Sequence, residues 1–213
     1  MTTAMCRLAG VSKRFGDRVV LDGLDLTVAA GEMVALTGRS GTGKTTALNV
    51  LGLLEPADSG TVTLFGEQAP RVNSRRAVHL LRSRLAYLFQ NFALIDNATV
   101  DDNLRVAQTY AEGGRTAKRH RRAEALERVG LAGIGAKKPY QLSGGEQQRV
   151  ALARLFLRPA DLVLADEPTG SLDTGSRDAV MDILGELHRE GRTIVVVTHD
   201  PVVARACGRI VDL

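Results

Sequence analysis

Gly38-Arg-Ser-Gly-Thr-Gly-Lys-Thr-Thr46 decides how the rest of this 213-residue chain is read. Before it stands Glu32-Met-Val-Ala-Leu-Thr37, a short apolar run bounded by Gly31 and Gly38, which reads as a buried strand. After it, helix-forming residues run from Lys44 to Leu54 until Glu55-Pro56 stops them. Strand, glycine-rich turn and helix in that order turn the spacing GxxxxGK[ST] into a phosphate-binding loop. Its glycines let successive backbone N–H groups converge on phosphate oxygens, and the helix directs its partial positive end at the same point. Gly38, Arg39, Ser40, Gly41, Thr42, Gly43, Lys44, Thr45 and Thr46 are therefore candidate phosphate contacts. Lys44 is expected to reach the β and γ phosphates, and the Thr45 hydroxyl to ligate Mg²⁺. The plainer alternative, a glycine-rich turn with a chance lysine, leaves that context unexplained. The loop implies a nucleotide and no more, since kinases, GTPases and ATPases share it.

Outward from the loop, residues Arg7 to Val28 alternate apolar and polar with Gly at 10, 16 and 23, the pattern of short antiparallel strands with tight turns. Thr61 to Phe65 reads as a further strand. The segment from Asn91 to Tyr140 is polar, helical in pattern, and carries Arg115-Thr-Ala-Lys-Arg-His-Arg-Arg122. That basic stretch fits either contact with lipid headgroups or nucleic acid, or a solvated helix face. No aromatic residue interrupts its charges to stack bases, which favours the solvated face. Asp161-Leu-Val-Leu-Ala-Asp166 and Arg192-Thr-Ile-Val-Val-Val-Thr198 are apolar runs flanking a helix-patterned segment from about Gly175 to Glu190. Buried strands joined through a helix pair in parallel by a right-handed crossover. The expected architecture is α/β: a P-loop NTPase core with a mostly parallel sheet, an N-terminal antiparallel β subdomain and an inserted α-helical lobe over 91–140. Residues 1–213 are expected to form one domain.

The composition agrees. Hydrophobic residues at 44% and charged residues at 24% are ordinary globular values and exclude a disordered chain. A net charge of +4 suits a neighbour of anionic lipid or nucleotide without demanding one. Cys6 and Cys207 form no CxxC pair and read as reduced thiols. No run of 18 apolar residues occurs, and the N-terminus lacks the apolar core of a signal peptide.

Two further segments choose among the nucleotide enzymes. Asp166-Glu167 closes an apolar strand, the end at which ligands bind in such sheets. Asp166 is placed to hold Mg²⁺, and Glu167 to polarise an attacking water as general base. Consecutive strand residues face opposite ways, so the two carboxylates are expected to divide the work. His199 ends the next buried strand and is expected to meet the γ-phosphate or position water. Leu142-Ser-Gly-Gly-Glu-Gln-Gln-Arg149 opens a helix over Gln147 to Leu157, with Ser143 and Glu146 as a capping box. Capping leaves two glycines unexplained where they weaken a helix. A γ-phosphate approaching the helix N-terminus would require them.

In this order GRSGTGKTT, Gln90, LSGGEQQ, LVLADEP, the SLD at 171–173 and His199 resemble the ABC ATPases over nearly the whole chain. The resemblance implies ATP and Mg²⁺ as cofactors and two copies enclosing two ATP molecules head to tail. It implies that Phe15, where the family more often has Tyr, stacks on adenine. It makes Gln90 the glutamine that reaches Mg²⁺ and senses a membrane partner. Ser143, Gly144, Gly145 and Glu146 become the signature that meets the nucleotide of the other copy, and Asp173 an interface aspartate. Lys44, Glu167 and His199 become the catalytic residues, and Thr45, Gln90 and Asp166 the metal ligands.

More narrowly, ALNVLGLLEPADSG is similar to the small ATPases of macrolide export and lipoprotein release. YLFQNFALIDNATVDDNL is similar to the lactococcin-group bacteriocin exporters. The implied function is ATP-powered export through a separate integral membrane permease, from a cytoplasmic position on the inner face of the membrane. A lipoprotein-release or cell-division type of ATPase, pulling on its partner without moving cargo, stays open. Soluble relatives in DNA repair or translation carry coiled-coil or zinc insertions or a second cassette. None of these stands here, so no nucleic-acid partner is expected. Phe92, Leu94 and Ile95, just after Gln90, are expected either to dock that permease or to pack within the lobe.

Overall fold

The computed structural model describes residues 4–213. In chain order the elements are β1 (Ala4–Phe15), β2 (Arg18–Ala29), β3 (Met33–Thr37), α1 (Lys44–Leu51), β4 (Ser59–Leu64), β5 (Glu67–Gln68), α2 (Arg75–Ser83) and β6 (Leu85–Leu88). There follow α3 (Val100–Ala107), α4 (Arg115–Arg128), a 3₁₀ turn (Pro139–Gln141), α5 (Gly144–Phe156), β7 (Leu162–Asp166), α6 (Thr174–Arg189), β8 (Thr193–Val197), α7 (Pro201–Ala206) and β9 (Arg209–Asp212). They make an antiparallel sheet, β2-β1-β4-β5, and a parallel sheet, β6-β7-β8-β3-β9. The expected class, α/β with a parallel sheet, an antiparallel β part and helices, is the one observed.

Strands β3, β6, β7 and β8 of the parallel sheet are apolar on both faces because both are covered, while the edge strand β9 is largely exposed. Met33, Ala35, Val163, Ala165, Ile194 and Val196 enter the core under α3 to α6, while Val34, Leu36, Leu162, Leu164, Val195 and Val197 enter the core shared with α1 and the antiparallel sheet. The period of two along each strand divides its side chains between the two cores. Cys6 and Cys207 are buried and unpaired, and burial pushes their thiols up to about 12 and about 11.

Several boundaries differ from expectation, each for a local reason. The first two strands are not short: Gly16 makes the turn, but Gly10 and Gly23 (φ 58° and 60°) sit where the β1–β2 register shifts, so they bend long strands instead of ending them. Helix α1 stops at Leu51 rather than Leu54. Gly52 caps it, Leu53 turns left-handed (φ 56°), and the Leu54 and Glu55 N–H groups close back on Asn49 O at 2.9 and 3.2 Å. Helix α5 begins at Gly144, three residues before its expected start, so both glycines lie in its first turn. Helix α2 was not expected, although Ser74 caps it and Leu80 and Leu81 pack its apolar side on the core. Strands β6 and β9 and helix α7, at four to six residues, are too short for a period to show.

Candidate functional site

The turn between β3 and α1 is left-handed at Gly38, Gly41 and Gly43 (φ 135°, 84° and 94°). At Gly43 the space is closed as well, since a Cβ there would lie 2.6 Å from Val20 O. Lys44, 8% exposed, donates to Gly38 O and Arg39 O at 2.9 and 2.8 Å, so its ammonium lies against the loop it closes. Thr42 Oγ1 donates to Arg39 O at 3.0 Å. Helix α1 carries no side-chain cap and no acid in its first turn, which leaves its N-terminal N–H groups for another acceptor.

A cleft of about 530 Å³ opens over this loop. Ser40, Gly41, Gly43, Lys44, Thr45 and Thr46 form its floor. Phe15, Gln90, Glu167 and His199 come to it from four other places in the chain. Asp166 lies beside it, its Oδ1 accepting from Thr45 Oγ1 at 3.0 Å. Burial raises the Asp166 carboxyl above its ordinary value and neighbouring Glu167 adds to this, against the hydrogen bond from Thr45.

Glu167 leaves the strand in a left-handed conformation (φ 45°), and its N–H donates to Val197 O at 2.9 Å. This kink, not the pleat of a continuing strand, separates the two carboxylates and returns Glu167 to the cleft. Its Oε1 lies 2.9 Å from His199 Nδ1, and its buried Oε2 has no hydrogen-bond partner among the described residues. An unpartnered buried carboxylate oxygen leaves hydrogen-bonding capacity unused beside the cleft.

The remaining expected residues form a second group that does not line the cleft. Ser143 Oγ accepts from Glu146 N–H at 3.2 Å and Glu146 Oε2 from Ser143 N–H at 2.7 Å, which is the expected capping box. That backbone N–H holds the Glu146 carboxyl below its ordinary value. Asp173 caps α6 by accepting from Ser176 Oγ at 2.7 Å and Ser176 N–H at 3.0 Å, and these bonds lower its carboxyl too. Gly145 faces the same serine: a Cβ there would lie 2.8 Å from Ser176 Cβ. Gly144 is open, with nothing nearer to a Cβ than Leu172 at 3.8 Å. The start of α5 and Asp173 therefore stand apart from the cleft.

A family model described as ABC transporter matches residues 21–170. The chain belongs to the ABC transporter family. It is 40% identical over 217 residues to the macrolide export ATP-binding/permease protein MacB of Pectobacterium atrosepticum, covering 100% of this chain and 33% of that protein. It is 44% identical over 214 residues to the probable export ATP-binding/permease protein MacB of Pseudomonas entomophila, covering 98% and 32%. The chain thus spans about a third of the length of the curated relatives it matches. A dimeric, post-hydrolysis state of the ATP-binding cassette MJ0796 bound to ADP and Pi superposes with a TM-score of 0.88 at 34% identity, over 98% of this chain and 94% of that one. The ATPases of this family bind ATP with Mg²⁺.

The cleft of this ABC cassette suits that cation. No cluster of three His, Cys, Asp or Glu side chains exists among the described residues. Thr45, Asp166 and Gln90 offer a hydroxyl, a carboxylate and an amide oxygen, the sparse hard donor set that Mg²⁺ accepts when phosphates complete its shell. A carboxylate disfavoured by burial is also one that a cation relieves.

Sequence reading missed Arg18 and Val20, which line the same cleft. Arg18 pairs with Phe15 across the β1–β2 turn and donates to Gly41 O at 3.3 Å, which braces the phosphate loop. It also missed Lys13, which pairs with Glu55 and Asp58 at 3.1 Å each and stands 5.2 Å from the Phe15 ring centroid. These contacts hold the base of β1 beside the ring, which is 49% exposed. Gln148 was missed too: its Nε2 donates to Pro168 O at 2.7 Å and ties α5 to the Glu167 turn. Only hairpin pairing could have flagged Arg18; the others depend on contacts remote in sequence.

Proposed function

We propose that two copies of this chain enclose two Mg·ATP molecules head to tail and that hydrolysis there drives export through a membrane-spanning permease. The observation that carries this reading is the separation of the half-sites. The cleft holds the loop, the carboxylates and His199, while the Ser143–Gly145 helix start lies outside it. A second copy supplies the missing half. The dimeric MJ0796 cassette supports this, and the export proteins among the relatives support the permease.

In this reading Lys44 exchanges its loop carbonyls for phosphate oxygens, which bear full charge and attract it more strongly. Loop and α1 N–H groups fix the phosphate chain, and Phe15 offers its exposed ring to adenine. Thr45, Asp166 and Gln90 hold Mg²⁺, which neutralises phosphate charge when bound. Glu167 Oε2 takes the proton of the attacking water, and His199 fixes Oε1 so that Oε2 stays aimed. In the partner copy, Ser143 Oγ and the first-turn N–H groups at Gly144 and Gly145 meet the γ-phosphate, with Asp173 beside them.

The permease face follows from Gln90. Just beyond it a groove of about 260 Å³ is bordered by Phe89, Phe92, Ile95 and Val106. Phe92 and Leu94 are half-packed on the core and Ile95 is 53% exposed, so packing and docking share this segment. No helix among the described residues is long and apolar enough to cross a membrane. We place the chain on the inner membrane face, held by this groove.

The test is Glu167→Gln, with single-turnover hydrolysis and size-exclusion chromatography in ATP and Mg²⁺. Hydrolysis is expected to fall about 10²–10⁴-fold, as for loss of a general base, while ATP binding persists and the dimer accumulates. Near-normal hydrolysis by this variant would overturn the assignment of Glu167.

A further inference from the structure

Helix α4 begins in a way its electrostatics disfavour. Gly114 provides no side-chain cap and the first turn holds no acid. Arg115, Lys118 and Arg119 stand there instead, cations at the positive end of the helix beside N–H groups without intrahelical partners. With Arg105, Gln108 and Arg122 they wall a cavity of about 580 Å³ between α3 and α4. Two of its five cations are neutralised. Arg105 Nη2 pairs with Asp102 at 2.5 Å, and Arg122 grips Asp101 with two bonds of 2.6 and 3.0 Å. Lys118 Nζ reaches only the backbone oxygen of Gln108, at 3.3 Å. The Arg115 and Arg119 side chains make no hydrogen bond or ion pair among the described residues.

An independent observation lies in the wall itself. Gln108 is 1% exposed; its Oε1 accepts from Arg122 Nη1 at 2.9 Å, but its Nε2 has no partner among the described residues. A buried donor left unmatched beside uncompensated cations calls for an acceptor bearing negative charge. We propose that this cavity binds a phosphate group, either the headgroup phosphate of an anionic lipid or free phosphate. Phosphate oxygens suit the donors that line the cavity, the guanidinium forks of Arg115 and Arg119 and the ammonium of Lys118, with the buried amide of Gln108 behind them. No aromatic side chain lines the cavity to stack a base, which sets nucleic acid aside. The lipid source rests on the permease-face reading, because α3 borders both places: Val106 and Ala107 line the docking groove, and Arg105 and Gln108 line the cavity.

The test uses the ¹⁵N-labelled 213-residue chain with its cleft saturated by a non-hydrolysable Mg·ATP analogue, which fills the γ-phosphate position so that the 38–46 loop does not report. One arm titrates inorganic phosphate and follows the Arg115 to Lys118 amides and the Gln108 side-chain amide. The other sediments the chain with phosphatidylcholine vesicles with and without phosphatidylglycerol. Those signals are expected to move with phosphate, or pelleting to require phosphatidylglycerol. In the Arg115→Gln/Arg119→Gln variant either response is expected to weaken about tenfold at a Tm no lower than the parent's. Signal movement without pelleting assigns free phosphate; pelleting lost in the variant assigns lipid. If phosphate moves none of these signals and the variant pellets as the parent does, the proposal is overturned. ATP hydrolysis by nucleotide-free parent and variant, measured separately, distinguishes the two readings, since Arg115 and Arg119 lie outside the cleft.

Discussion

Asp166 and Glu167 are neighbours with opposite requirements. Asp166 is held in the strand, buried, and disfavoured as an anion until a cation arrives; Glu167 is kinked back with one oxygen free. The first has a consequence for pH. The folded pKa of Asp166 is raised above its unfolded value, so the folded state binds more protons between the two, and stability falls as pH climbs through that window. Asp166→Asn removes this penalty and keeps a partner for Thr45. At neutral pH the nucleotide-free variant is expected to melt above the parent and to lose part of the fall in stability above the ordinary carboxylate range. Mg·ATP should bind about tenfold or more weaker, as for loss of a charged partner contributing about 1.5–3 kcal/mol. Thermal melts from pH 4 to 8 and a nucleotide titration check both parts; a lower Tm at neutral pH would contradict the buried-anion argument. The residue types at 166 and 167 were legible in sequence. The left-handed turn that aims Glu167 was not, because a non-glycine residue at positive φ carries no signature of its own.

At the scale of the element, the start of α5 serves two purposes that substitution can separate. Ser143 caps the helix through a reciprocal box with Glu146. Ser143→Ala is expected to cost about 1 kcal/mol, or roughly 2–4 °C in Tm for a chain of this size. Aspartate caps about as well as serine, so Ser143→Asp should hold the parent Tm. In the sandwich, however, its carboxylate would face the γ-phosphate of the other copy. In a Glu167→Gln background, Ser143→Asp is expected to abolish the ATP-dependent dimer, measured by size-exclusion chromatography. An undiminished dimer would reduce Ser143 to a helix cap. The capping box was readable from four residues; the Gly145–Ser176 contact behind it was not, because it joins two helices through a distance the sequence does not encode.

At the scale of the molecule, the parallel sheet is shared property. Each central strand sends alternate residues into the two cores, so neither core keeps its shape when a strand shifts. Leu164, fully buried on β7, belongs to the core beside α1 and the antiparallel sheet, while Val163 next to it belongs to the core under the helices. Leu164→Ala is expected to cost about 2–5 kcal/mol of a total of order 5–15. Both parts should melt together in one transition, since they share the strand. Calorimetry beside near-UV and far-UV circular dichroism checks this, and two separated transitions would divide the chain into independent folding units.

The sequence by itself determined the phosphate loop, the buried parallel strands, the capping box and the order of motifs that places the chain among ABC ATPases. Each is local: a spacing of glycines, a run of apolar residues or a reciprocal pair three apart acts through its own backbone. Tertiary structure alone decided which distant residues share a cleft. It set Arg18 against the loop, tied Gln148 to the Glu167 turn, and left Ser143 and Asp173 outside the cleft. It also decided that the basic stretch after Gly114, read along the chain as a solvated helix face, walls a cavity with Gln108. Those relations follow from how strands stack and helices cross. Many residues set that packing jointly, through contacts whose separation along the chain leaves no periodic trace.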